Sequence, residues 1–118
     1  MRPYISWPSG FNIAPAKITG YLLNLSGGSP AKARWWLSQG FDPDRPEVLI
    51  EALFEHTSAT NFVGLRLPPK MWGHRLVFEG PIRTPLASNP EVRSVWQVSS
   101  GTPSGIRGVA ELVTAHRI

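Results

Sequence analysis

From residue 72 to the end the chain is a run of short strand-like segments parted by turn residues. That pattern narrows its fold more than any other feature. Trp72 to Gly80, Val92 to Val98 and Val109 to Arg117 are each between seven and nine residues long. Gly80-Pro81, Asn89-Pro90 and Gly101-Thr-Pro-Ser-Gly105 separate them. Strand runs bounded by such clusters, with no helical period between them, favour antiparallel pairing. Phe62 to Leu67 reads as a further strand, and Pro68-Pro69-Lys70 turns it into the next. Pro81, Pro85 and Pro90 exclude a central strand from 81–91, because proline cannot donate to a ladder; a short edge strand and a loop remain.

The first half has the opposite signature. Residues 1–13 carry Pro3, Pro8 and Gly10 and predict an irregular arm, with Trp7 or Phe11 available to anchor it. Pro15 suits the first turn of a helix reaching about Asn24, with Ile18, Tyr21, Leu22 and Leu25 as its apolar stripe. A second helix has Ser29 as N-cap, Pro30 at its first position and Gly40 beyond its end. Ala33, Trp36 and Leu37 share its buried face, and Lys32 lies beside them. A third opens on Asp44, Pro46 and Glu47. Val48, Leu49, Ala52, Leu53 and His56 fall on one side of it, and Glu47, Glu51 and Glu55 on the other. The expected fold is one α+β domain over 1–118, with an arm at 1–13, a helical half at 14–57 and a sheet half at 61–118. Two or three N-terminal helices pack on one face of a four- to five-stranded antiparallel sheet.

Composition limits the function. With no cysteine there is no thiol catalysis, thiolate metal site or disulfide framework, which fits a cytoplasmic site of action. No apolar run approaches the ~18 residues of a membrane span, and the N-terminus lacks the apolar centre of a signal peptide. Secretion as part of a larger protein is compatible with both. Twelve Lys and Arg face eight Asp and Glu. The acids sit mostly in the helical half, whereas the sheet half holds Arg66, Lys70, Arg75, Arg83, Arg93, Arg107 and Arg117. A basic sheet rich in arginine favours a polyanionic partner, here RNA.

No Walker loop, HExxH or nucleophile elbow is present, and His56, His74 and His116 have no metal-ligand spacing. Neither a metal nor another cofactor is expected. Metal-independent RNA cleavage needs only a base for the 2′-hydroxyl, an acid for the leaving 5′-oxygen and cations around the phosphorane. Thr114 and His116 lie two apart and share a strand face; with Val113 and Ala115 turned to the helices, that face is the open one. Thr114, His116, Lys32 and His56 are the candidate catalytic residues. Arg75, Arg83 and Arg93 are candidate phosphate ligands, and Trp96 is a candidate base-stacking platform. The ordinary alternatives are a core histidine at 56, a core tryptophan at 96 and a surface histidine at 116.

Tyr21-Leu-Leu-Asn24, Gly28-Ser-Pro-Ala-Lys-Ala-Arg-Trp-Trp36, Gly40-Phe41, Trp72 to Gly80, Val95-Trp96 and Leu112-Val-Thr-Ala-His116 resemble a small family of bacterial domains with no assigned activity. Its members look like GxSKAxFF…GF, then yGxxyxvxG, vWxi and a closing lvTAyP. The resemblance implies a stand-alone protein or the C-terminal tip of a large secreted one. It gives weight to Lys32, Trp96 and Thr114; His116 departs from it, standing where members often have tyrosine. The layout also looks like the barnase/EndoU/colicin/RelE-like ribonucleases, many of which are toxins. The expected function is therefore a metal-independent endoribonuclease, the toxin of a toxin–antidote pair with an acidic antidote or immunity protein. A non-catalytic RNA- or protein-binding module is the alternative. An immunity protein is a third reading, against which the basic charge argues.

Overall fold

The computed structural model describes residues 8, 10–66, 74–98 and 109–118. Its elements are β1 (Gly10–Asn12), α1 (Pro15–Lys17), a π-helical turn (Ile18–Leu22), α2 (Pro30–Ser38), α3 (Pro46–His56), a 3₁₀ turn (Ala59–Asn61), β2 (Phe62–Arg66), β3 (His74–Pro81), β4 (Glu91–Val98) and β5 (Val109–Arg117). The five strands form one sheet in the order β1-β5-β4-β3-β2. Every pair is antiparallel except β1 with β5, which is parallel and matches Gly10, Phe11 and Asn12 to Val109, Ala110 and Glu111. The expected α+β class is present, with helices on one side of a mostly antiparallel sheet.

One core lies between helices and sheet. Leu76 and Phe78 of β3, Val92, Trp96 and Val98 of β4, and Ala110, Leu112 and Ala115 of β5 meet Ile18, Leu22, Trp36, Leu49 and Leu53 there. Strict alternation would put Leu112 on the same side as Thr114. A β-bulge prevents this: Val95 pairs with Thr114 and Trp96 with Leu112, so Val113 is the extra residue. The bulge changes the phase of β5, so Leu112 and Ala115 both face the helices while Thr114 and His116 face away.

Several local expectations need correction. Part of the predicted arm is β1, because the outer edge of β5 offers unpaired backbone groups that a short strand can satisfy. Phe11 anchors it, its ring 5.3 Å from that of Trp96 and 5.9 Å from that of Phe78; Trp7 lies outside the described residues. The first helix widens after one turn: Leu23 N–H reaches the Ile18 carbonyl at 2.8 Å, five residues back. Thr19 turns its hydroxyl onto the Pro15 carbonyl at 3.2 Å, and Gly20 follows. Both weaken the regular ladder. Leu25, expected in the stripe, is exposed. Asp44 does not cap α3; its N–H donates to Asp42 Oδ1 at 2.9 Å, and Arg45 takes the N-cap position without a capping side-chain bond to the backbone. Gly40 follows α2 with φ of +97°, a left-handed turn that suits glycine. The segment 82–90 is a loop pinned by Thr84, whose Oγ1 accepts from Ser88 N–H at 3.0 Å and Asn89 N–H at 3.3 Å. The expected turns at 68–70 and 101–105, with Lys70, Trp72 and Arg107, lie outside the described residues.

His56 and Trp96 belong to this core, on the side of the sheet away from Thr114 and His116. Both are buried. Trp96 Nε1 donates to Ser94 Oγ at 2.9 Å, Ser94 Oγ lies 2.8 Å from His56 Nδ1, and His56 Nε2 lies 3.1 Å from the Gly80 carbonyl. A carbonyl can only accept, so Nε2 carries the proton and Nδ1 accepts from Ser94. The ring is neutral and satisfied at both nitrogens. A buried, fully bonded imidazole cannot serve a substrate on the far face, and a buried indole cannot stack on a base. Burial comes first among the causes that hold the His56 pKa below the usual histidine value.

Two outcomes follow for stability. Trp36 is fully buried and donates through Nε1 to the Ala115 carbonyl at 3.2 Å. Trp36→Ala should cost ~3–5 kcal/mol, read as a fall in thermal midpoint; an unchanged melt would mean that α2 does not dock here. A histidine whose folded pKa is depressed contributes stability that is complete above the unfolded value of about 6.5 and is lost as pH falls through the folded one. Stability should therefore decline from pH ~6.5 downward, and His56→Gln should flatten that slope in denaturant titrations; an identical slope in the variant would refute the assignment.

Candidate active site

The face of the sheet turned from the helices is a grid set by strand register. One row runs Gly64, Val77, Val95, Thr114. On one side of it lie Glu79, Arg93 and His116; on the other, Arg66, Arg75, Gln97 and Glu111. Val77 and Val95 are an apolar floor, each 4% exposed. Arg93 Nε bonds Glu79 Oε2 at 2.5 Å, which orients the guanidinium beside His116 and leaves its other N–H donors for a ligand. Arg75 Nε donates to Gln97 Oε1 at 3.2 Å. Counted with Lys32, the cations exceed the carboxylates on this face.

Lys32 reaches this face from the helical layer at the edge of β5. β1 covers that edge only as far as Glu111. Beyond it α2 takes over: Trp36 Nε1 holds the Ala115 carbonyl, and Lys32, one turn earlier on the same side of the helix, extends over Thr114. Lys32 Nζ donates to Thr114 Oγ1 at 2.8 Å and to Tyr21 Oη at 2.9 Å. A lysine in a first turn opposes the helix dipole, and the first turn of α2 holds no acid to offset it. The local potential is therefore positive, which costs stability and favours an anion.

Both hydroxyls accept from an ammonium that can only donate, so their own two hydrogens serve the bond between Tyr21 and Thr114 and a ligand. Lys32 has three donors, and the two hydroxyls take two of them. The trio is thus a preorganised cluster of donors for the oxygens of one anion. Tyr21 stands on the π-helical turn and is half-buried. Hydrogen bonding to Lys32 and then to Thr114 lowers its pKa below the usual 10. Next to the trio, His116 and Lys32 line a cavity of about 210 Å³ with Ala31, Trp35, Trp36 and Arg117. The pKa of His116 is also lowered, first by desolvation and then by the charges of Lys32, Arg93 and Arg66. A depressed histidine is neutral at pH 7 and can take a proton.

Of the residues singled out from the sequence, Lys32, Thr114, His116, Arg93 and Arg75 stand on or over this face. Three others stand elsewhere. His56 and Trp96 are in the core, and Arg83 sits beside α3, 3.5 Å from Glu55 Oε1, in the loop after β3. Alternation fixes which side of a strand a residue takes, but Arg83 lies beyond the end of β3, where alternation no longer applies. The helical period places Tyr21 in an apolar stripe. The polar end of its ring was visible in the sequence, but the turn that directs it to Lys32 was not.

No curated protein matches the chain. A chain of the contact-dependent growth inhibition toxin–immunity protein complex from Klebsiella pneumoniae 342 has a similar structure, with a TM-score of 0.66 and 18% sequence identity over 90% of this chain and 98% of that one. At that identity the likeness shows a common fold. The family model described as Domain of unknown function (DUF6883) matches residues 9–117, nearly the whole chain, and the protein belongs to that family.

Proposed function

We propose that this protein is a metal-independent endoribonuclease, the toxin of a toxin–antidote pair, acting on RNA in the cytoplasm. The observation that carries the reading is the Lys32 ammonium, bonded to both the Thr114 and Tyr21 hydroxyls and sharing a cavity with His116. RNA carries its own nucleophile, so cleavage asks the protein for proton transfer and charge stabilisation only. Neutral His116 takes the 2′-hydroxyl proton. Lys32 and Thr114 hold a non-bridging phosphate oxygen as negative charge builds on the phosphorane. Arg93 and Arg75, with Arg66 at the edge, follow the backbone on either side. The resemblance in layout to the barnase/EndoU/colicin/RelE-like ribonucleases supports the chemistry. The structural likeness to a chain of a toxin–immunity complex supports the biological setting, and a basic face suits an acidic inhibitor by electrostatic steering.

The test is cleavage of RNA by the purified protein in excess EDTA, with rates unchanged by the chelator. His116→Ala and Thr114→Ala should each lower the rate by roughly 10²-fold or more, with melting temperatures close to wild type. Variants that cleave at the wild-type rate would remove these residues from the mechanism. A wild type that binds RNA without cutting it would leave the binding-module reading. As base, His116 must be neutral, so kcat/KM should fall as pH drops through its lowered pKa. That acid limb should lie below pH ~6.5; a limb at or above 6.5 contradicts the assignment. Binding should also weaken steeply with salt as phosphate contacts release counterions, and salt-independent binding would exclude the basic face as the RNA surface.

A further inference from the structure

We propose that Tyr21 is the general acid of this site and gives its phenolic proton to the departing 5′-oxygen. The inference rests on the ribonuclease reading above and adds the residue that reading lacks.

Elimination among the groups of the cluster leaves Tyr21. His116, neutral at the start, is the base and has no proton to spare until it has taken one from the ribose. Lys32 is most useful as a cation, since donating its proton would remove the charge that stabilises the phosphorane. The Thr114 hydroxyl is far too weak an acid. Tyr21 has a donor hydrogen that Lys32 leaves unoccupied, and it lies 2.9 Å from the cation that would stabilise its phenolate. Lys17 Nζ, 5.6 Å from the centre of the ring, adds a second positive charge. Together with the Lys32 and Thr114 bonds, these charges lower the phenol's pKa towards working pH, the direction an acid catalyst needs. The π-helical turn that carries Tyr21 is itself an uncommon conformation that is frequent at functional sites.

His116 removes the 2′-hydroxyl proton, and the freed oxygen forms a bond to phosphorus. The bond from phosphorus to the 5′-oxygen breaks, and its electron pair leaves on that oxygen, which takes the proton of Tyr21. The products are a 2′,3′-cyclic phosphate and a 5′-hydroxyl. Solvent carries the proton from His116 back to the phenolate.

The experiment compares two RNAs of identical sequence, one natural and one with sulfur replacing the scissile 5′-oxygen. A thiolate departs without protonation, so it has no need of the acid. Tyr21→Phe keeps the ring and removes only the hydroxyl. It should slow cleavage of the natural RNA by about 10²-fold or more and leave the sulfur-substituted RNA near the wild-type rate. Equal losses on both, or no loss on either, would overturn the proposal. The wild type supplies a second measure that does not depend on the variant's folding. Its rate on natural RNA should fall at alkaline pH, below 10, as Tyr21 deprotonates, and that limb should vanish with the sulfur-substituted RNA. A limb common to both substrates would also overturn it. If the wild type cleaves neither RNA, the ribonuclease reading itself has failed and this inference falls with it.

Discussion

The outer edge of β5 is the constraint on which the rest of this structure depends. An edge strand exposes backbone donors and acceptors that must be satisfied. Two different elements share the task here. β1 pairs in parallel with Val109 to Glu111, and α2 covers the remainder, with Trp36 Nε1 on the Ala115 carbonyl. That single hydrogen bond fixes where α2 lies. Because Lys32 is one helical turn before Trp36, it also fixes where a positive charge meets the sheet. The same indole that closes the core thus locates the candidate site.

The bulge at Val113 resolves a conflict within the strand. Ala110 and Leu112 are needed in the core, and so is Ala115, a combination that period-two alternation forbids. One extra residue restores it and turns Thr114 and His116 to the other face. Bulges commonly re-aim side chains next to functional sites, and this one separates the structural half of β5 from the half facing the cavity. On the same face Glu79 holds Arg93 in place, so the cation beside His116 is oriented before any ligand arrives.

His56 and His116 show how environment separates two identical side chains. Burial comes first in lowering the pKa of both. His56 is enclosed, with Ser94 and the Gly80 carbonyl saturating its nitrogens; it holds α3 to β3 and β4 and has no capacity left for chemistry. His116 is half-buried at the mouth of a cavity among Lys32, Arg93 and Arg66. Its neutral form is favoured by positive neighbours and remains accessible. A perturbed titratable group is a candidate for function only where it stays accessible, and that singles out His116 of the two.

The sequence by itself determined the fold class, the positions of α2 and α3, four of the five strands and the basic character of the sheet. These depend on local physics: helical and strand periods, proline and glycine at element ends, and the distribution of arginine. It also placed Thr114, His116 and Lys32 among the residues of interest, since alternation and helix faces are local properties. Tertiary structure alone decided that 10–12 is a strand, because β1 exists only through a pairing partner almost a hundred residues away. It decided that His56 and Trp96 are core residues, because His56 finds Ser94 and the Gly80 carbonyl on two strands distant in sequence and Trp96 packs against the ring of Phe11. It decided, too, that Tyr21 stands at the candidate site: a π-helical turn is set by packing, and the cation bonded to the phenol arrives from a different helix.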